Sequence, residues 1–177
     1  MKFGNLEFVD VALYHSLVSP SAQASIERHG LKNVLVSKID ATLADTAAFC
    51  DAYDVSMDAS ANCVIVEARR SEKTWFAACM ILASNKADIN GAVRKHLDAR
   101  KISFAPMDTA TTLTQMEYGG ITPIGLPEDW QIIIDESIMQ KSHVIIGSGI
   151  RGSKLLVEPD VFKVLPNTTI IDIKKVS

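Results

Sequence analysis

Tyr118-Gly119-Gly120-Ile121-Thr122-Pro123-Ile124-Gly125-Leu126-Pro127 packs three glycines and two prolines into ten residues. A flexible linker would be polar, yet this stretch carries Ile121, Ile124 and Leu126. Glycine reaches positive φ and lets a ligand approach the main chain closely. Proline fixes φ and removes a competing N–H donor. The combination predicts a rigid surface loop whose free amides face a carbonyl or carboxylate. The plainer alternative is a tight turn that ends a helix before the next strand.

A second glycine cluster lies downstream. Val144-Ile145-Ile146 is a β-branched run, and Gly147-Ser148-Gly149-Ile150-Arg151-Gly152 follows it directly. A strand running into a glycine turn with one arginine is a candidate anion or carbonyl site, because arginine offers fixed donors and stays charged. The same residues also read as a hairpin turn between 143–147 and 154–158, with Arg151 in solvent. Between the two clusters, residues 131–137 are strand-like.

Three segments taken together are similar to the YbaK/EbsC family: "GGITPIGL", "IIIDESI" and "VIIGSGIRGSKLLVEPDVF". These are freestanding relatives of the editing domain inserted in bacterial prolyl-tRNA synthetases. The GxxxP element falls on Gly119 to Pro123. The likeness is strong over residues 100–166, fair over 62–100 and weak before that. It implies hydrolysis of wrongly charged aminoacyl-tRNA, with the acceptor end of the tRNA as partner and no cofactor or metal. It further implies that the tRNA's ribose hydroxyl helps to activate water.

Composition fits one domain over residues 1–177. Hydrophobic residues make up 47% and aromatics only 6%, which predicts an aliphatic core in a chain of ordinary domain size. No apolar run reaches the roughly 18–20 residues that span a bilayer, and the first residues do not read as a secretory signal. Cys50, Cys63 and Cys79 form neither a zinc pattern nor a disulfide framework; they are expected to be buried thiols, and the expected location is the cytoplasm. Net charge is −3. That opposes tight sequence-independent binding of nucleic acid, so any tRNA binding is expected to be weak. Oligomeric state is not legible.

The coarse pattern is α+β: a curved, mixed, barrel-like sheet with helices packed outside it. Helices are expected at 21–30 (capped by Ser21, stopped by Gly30), from a Thr42 cap with Asp45 at the third position, at 89–99, and from an Asp108 cap through Met116. A short helix is expected near 160–165. Strands are expected at 34–39 and 102–105. A hairpin pairs 63–68 with 75–83 through a charged turn at 69–73.

Ester hydrolysis needs the amino acid seated, the carbonyl polarised and water placed. Backbone amides of Gly119, Gly120 and Ile121 can stabilise an oxyanion without a titrating side chain. Pro123, Gly147, Ser148, Gly149 and Arg151 are the expected substrate-binding residues. Asp135, at a strand end where the family commonly has Asp, is the expected acceptor for the substrate amine; its alternative is a turn former. Arg100, Lys101 and Lys154 are candidate contacts to tRNA phosphates. His15, His29, His96 and His143 are scattered and suggest no triad.

One departure from the family bears on catalysis. Its members carry a lysine at the start of the first hairpin strand, and the matching position here is Asn62. A carboxamide offers neutral donors where an ammonium offers charge. Three outcomes are open: Lys101 or Lys154 supplies the cation, Asn62 serves a different aminoacyl group, or the chain binds ligand without turning it over.

Overall fold

The computed structural model describes residues 1–176. Along the chain the strands are β1 (Lys2–Phe3), β2 (Leu6–Glu7), β3 (Val9–Asp10), β4 (Leu35–Lys38), β5 (Ala61–Arg70), β6 (Lys73–Leu82), β7 (Lys101–Phe104), β8 (Gln131–Asp135), β9 (Val144–Gly147), β10 (Ser153–Val157) and β11 (Thr168–Ile171). The α-helices are α1 (Pro20–Arg28), α2 (Thr46–Tyr53), α3 (Arg94–His96) and α4 (Met107–Thr114), with short 3-10 turns between elements.

β5 and β6 form the central hairpin, in register from Ala61↔Leu82 to Arg70↔Lys73. Its turn is shorter than expected. Two residues, Ser71 and Glu72, suffice because Ser71 takes φ 54, the left-handed geometry that a two-residue hairpin turn requires. β8 pairs parallel to β6, and β11 parallel to β8. The Ile132-Ile133-Ile134 run is apolar throughout because β8 is covered on both faces. Ile132 and Ile134 join the core shared with Ala78 and Met80, whereas Ile133 joins Cys79 and Ala77 on the other face. The result is a mixed five-stranded sheet in the order β11-β8-β6-β5-β7.

An antiparallel sheet, β3-β4-β10-β9, lies against it. Its inward residues, Val36, Ile146 and Leu155, belong to the same core as Met80 and Ile134, so the main core sits between the two sheets. Its outward residues, Ile145 and Leu156, pack on Phe49 of α2. A bridge between Ser60 and Ile145 ties the sheets together where β5 begins. The five-stranded sheet is mixed and the four-stranded one antiparallel, and the two do not close into a barrel.

Helix starts differ from the sequence reading by a few residues. Ser19, not Ser21, caps α1, accepting from the Ala22 amide at 3.2 Å, with Pro20 at the first helical position, where its missing N–H is harmless. Thr42 is not a cap. It sits in a 3-10 turn whose cap is Asp40, which takes both the Thr42 amide and hydroxyl. Asp45 is then the residue that opens α2. The 89–99 helix is shorter: π-wound over Ile89–Val93, then α3. α4 starts after Pro106, with Asp108 inside its first turn. The 160–165 helix is a 3-10 segment, Pro159–Val164.

Candidate functional site

A cavity of about 540 Å³ opens between the start of β5, the end of β9, β10, the first turn of α2 and the 118–121 loop. That is within the size range of small-molecule sites. Asp45, Thr46, Asn62, Gly119, Ile121, Gly147, Arg151 and Lys154 all line it.

Lys154 is one of the two lysines that could stand in for the family's cation, and it reaches the cavity from β10. Successive residues of a strand face opposite sides, so Lys154 shares a face with Leu156, which packs beside Phe49. The side chain is 6% exposed. Its ammonium stands 5.2 Å from the centre of the Phe49 ring and donates to the Ala44 carbonyl at 3.1 Å. Burial pulls its pKa from 10.5 down to about 8, the nearby Cys50 and Asp45 acting in the opposite direction and Arg151 adding to the fall. An amine with that pKa is still mostly charged at pH 7. Gly147 is its register partner on β9 and lines the same cavity.

Asp45 opens α2 without a side-chain capping bond. Its carboxylate is exposed, lines the cavity and draws on the Lys154 charge. One wall therefore presents an anion and a cation together. Asn62 accepts from the Thr46 hydroxyl through Oδ1 at 2.5 Å. Its NH₂ group is thereby left to donate into the cavity.

The glycine loops are packed against each other. Gly149 donates its amide to the Gly120 carbonyl at 2.6 Å, and Gly120 donates to the Glu117 carbonyl at 2.9 Å. A Cβ on Gly120 would lie 2.5 Å from the Ile150 carbonyl oxygen, and one on Gly147 would lie 2.6 Å from the carbonyl oxygens of Gly120 and Ile121. Gly119, at φ 81, faces the cavity. Arg151 ties the arrangement together from the cavity wall. Its guanidinium donates to the carbonyls of Tyr118 at 2.8 Å and Ala41 at 3.0 Å, and its amide donates to Glu117 Oε1.

A model of the aminoacyl-tRNA editing domain matches residues 40–164, well over half of the sequence and including every residue of this cavity. The chain belongs to the aminoacyl-tRNA editing domain family. Among solved structures, a candidate trans-editing enzyme for prolyl tRNA synthetase superposes with TM-score 0.75 at 17% identity, covering 90% of this chain and 99% of that one. A scaffold used in computational epitope grafting gives 0.75 at 16% identity, covering 90% and 100%. A hypothetical protein gives 0.74 at 18%, covering 88% and 99%. At such identities these likenesses speak for the fold. No curated protein matches significantly.

Within this editing domain, several residues expected at the site stand elsewhere. Asp135 is 1% exposed. It caps the 3-10 turn after β8, accepting from the Ser137 amide and hydroxyl, and takes the Ile173 amide at 2.9 Å. Both oxygens are committed to joining β8 to the C-terminal segment, so the turn-forming alternative holds. Ser148 is buried and bonds to Ser153 and to the carbonyls of Ile150 and Ser153. Pro123 lines a separate, smaller cavity beside α1. The Gly149 Cβ direction points at Ser19, away from the cavity. Gly120 is buried with its amide already used, so the loop is not the free surface element expected. Lys154 is a cavity cation, not a surface contact. Arg100 and Lys101 sit beside Arg69 at the far end of β5, seven strand residues or about 23 Å from Asn62.

The sequence reading missed Asp45 and Thr46 as cavity residues. It placed Asp45 inside a helix that in fact starts one residue later. Among the described residues no cluster of three or more His, Cys, Asp or Glu could hold a metal, and no helix is long and apolar enough to cross a membrane.

Proposed function

We propose that this cavity takes the aminoacyl end of a mischarged tRNA and hydrolyses its ester, as the resemblance to YbaK/EbsC proteins implies, in the cytoplasm. The observation that carries the reading is the pairing of a buried ammonium, Lys154, with an uncapped carboxylate, Asp45, on one cavity wall. An aminoacyl ester has the complementary pair: an α-ammonium and a carbonyl that becomes negative during attack.

In this mechanism Asp45 accepts the α-ammonium and Lys154 donates to the ester carbonyl. The amides of Gly119 and Ile121 and the Asn62 NH₂ add neutral donors around the same oxygen. Water adds to the carbonyl carbon and gives up a proton with the help of the adjacent ribose hydroxyl. The carbonyl π pair moves to the oxygen facing Lys154. The tetrahedral species then collapses, the bond to the ribose oxygen breaks, and that oxygen takes a proton. Free amino acid and uncharged tRNA leave. Lys154 supplies the positive charge that Asn62 does not, from β10 in place of β5. Arg151 positions the 118–121 loop through its bonds to the Tyr118 and Ala41 carbonyls.

A panel of mischarged tRNAs incubated with the protein tests this by release of amino acid. Release from at least one member above the buffer rate is expected. If none is deacylated while a nonhydrolysable aminoacyl-adenosine analogue binds, the cavity is a binding module and the hydrolase reading is wrong.

A further inference from the structure

A second hollow of about 190 Å³ opens beside the cavity and shares its wall at Cys63, Val64, Tyr118 and Ile121. That volume equals roughly six water molecules. Its floor is apolar, and its rim carries Phe104, Met107 and Tyr118, which are 65%, 55% and 55% exposed. Three large apolar side chains clustered in water are not accounted for by folding, since none is buried in a core. Phe104 ends β7, an edge strand of the five-stranded sheet, and Met107 opens α4. The Arg151 guanidinium lies 6.0 Å from the Tyr118 ring centre.

From this geometry we infer that the Phe104–Met107–Tyr118 hollow is a stacking subsite for an unpaired nucleobase at the 3′ end of the RNA whose aminoacyl group enters the cavity. The inference rests on the editing reading and extends it to the nucleotide next to the ester. Exposed aromatic rings beside a reaction site are what unpaired RNA bases stack upon, because every base has a π face and the contact needs no hydrogen-bond code. The shared wall gives the continuity the substrate needs: a base in the hollow and an ester in the cavity would belong to one molecule. For a chain of net charge −3, stacking also supplies affinity that phosphate contacts cannot.

The test is binding of a fluorescent single-stranded oligoribonucleotide ending in CCA, uncharged, by anisotropy. Parent, Phe104→Ala and Phe104→Trp are compared. Phe104 is exposed and outside the main cavity, so the variants keep the fold, which circular dichroism verifies. Phe104→Ala is expected to weaken binding about tenfold and Phe104→Trp to restore it. Hydrolysis of an α-amino acid ester of methyl riboside, which keeps the adjacent hydroxyl but has no base, is expected to be equal in parent and Phe104→Ala. Absence of oligonucleotide binding by the parent, or equal binding by Phe104→Ala, overturns the subsite. Because the oligonucleotide carries no ester, binding that follows Phe104 in a protein that deacylates no tRNA would uphold the subsite and overturn only the hydrolase reading.

Discussion

Replacing Lys154 by Met makes the protein more stable and less active. The ammonium is held almost entirely out of water, and its pKa falls from 10.5 to about 8, chiefly through burial. At about 1.4 kcal/mol per pH unit, keeping that charge in the folded state costs roughly 3 kcal/mol at neutral pH. Met has similar length and no charge to desolvate. It also leaves the buried Ala44 carbonyl without its donor, a loss of about 1–2 kcal/mol. The net gain is about 1–2 kcal/mol at pH 6.5, or about 2–8 °C in Tm for a domain of this size. The pH dependence is the sharper signature. Between about 8 and 10.5 the unfolded chain holds the proton that the folded chain has released, so the parent gains stability as pH rises through that window. At pH 9.5 the desolvation cost in the parent has fallen by about 2 kcal/mol, and the advantage of Lys154→Met vanishes or reverses. Urea unfolding of both proteins at pH 6.5 and 9.5 reads this directly. A variant that is less stable at pH 6.5, or a difference that does not move with pH, refutes the account of a buried, reluctantly charged lysine.

Three further outcomes follow from the geometry. Gly120→Val should lose about 2–3 kcal/mol or fail to accumulate as folded protein, since its Cβ meets the Ile150 carbonyl, whereas Gly152→Ala, with nothing within 4 Å of its Cβ, should unfold within about 0.5 kcal/mol of the parent; equal stabilities would mean the glycine loops are not packed together. Asp135→Asn should cost about 1–3 kcal/mol in urea titrations without changing the affinity of an aminoacyl-adenosine analogue, and a selective loss of affinity would return Asp135 to the site. The enzyme-dependent deacylation rate should fall above about pH 8 as Lys154 loses its proton, and Lys154→Arg, if it retains activity, should extend the plateau to higher pH; a rate that climbs steadily to pH 10 in the parent would argue that the ammonium is not required.

Much of the fold is legible because its strands are β-branched or apolar runs and its hairpin turn is charged. The site is only half legible. Gly119, Ile121, Gly147 and Asn62 line the cavity as expected, since each sits at the end of a strand or in a loop that the pattern locates. Lys154 stood both as a tRNA contact and as a replacement cavity cation, and the signal that separates the two was present: Ser153-Lys154-Leu155-Leu156-Val157 is apolar on both faces, so a lysine within it has to be buried. Its neighbours Arg151 and Gly152 made it look like part of a basic turn. Arg100 and Lys101 were grouped with it because sequence order brings them near the glycine loop, but only the β5–β7 register shows that they face the opposite end of the sheet. Asp135 illustrates the converse. A carboxylate closing an apolar strand suits either a ligand amine or two backbone amides, and only the position of Ile173, far along the chain, separates the two.

The central claim is that Lys154 is the cation of a hydrolytic site. It is tested most directly by single-turnover release of amino acid from the best mischarged tRNA of the panel, with parent and Lys154→Met side by side at pH 7. Loss of a charge-assisted donor to the developing oxyanion predicts a rate lower by about 10²–10³ in the variant, in a protein that urea unfolding shows to be at least as stable as the parent. Equal rates in the two proteins would contradict the account.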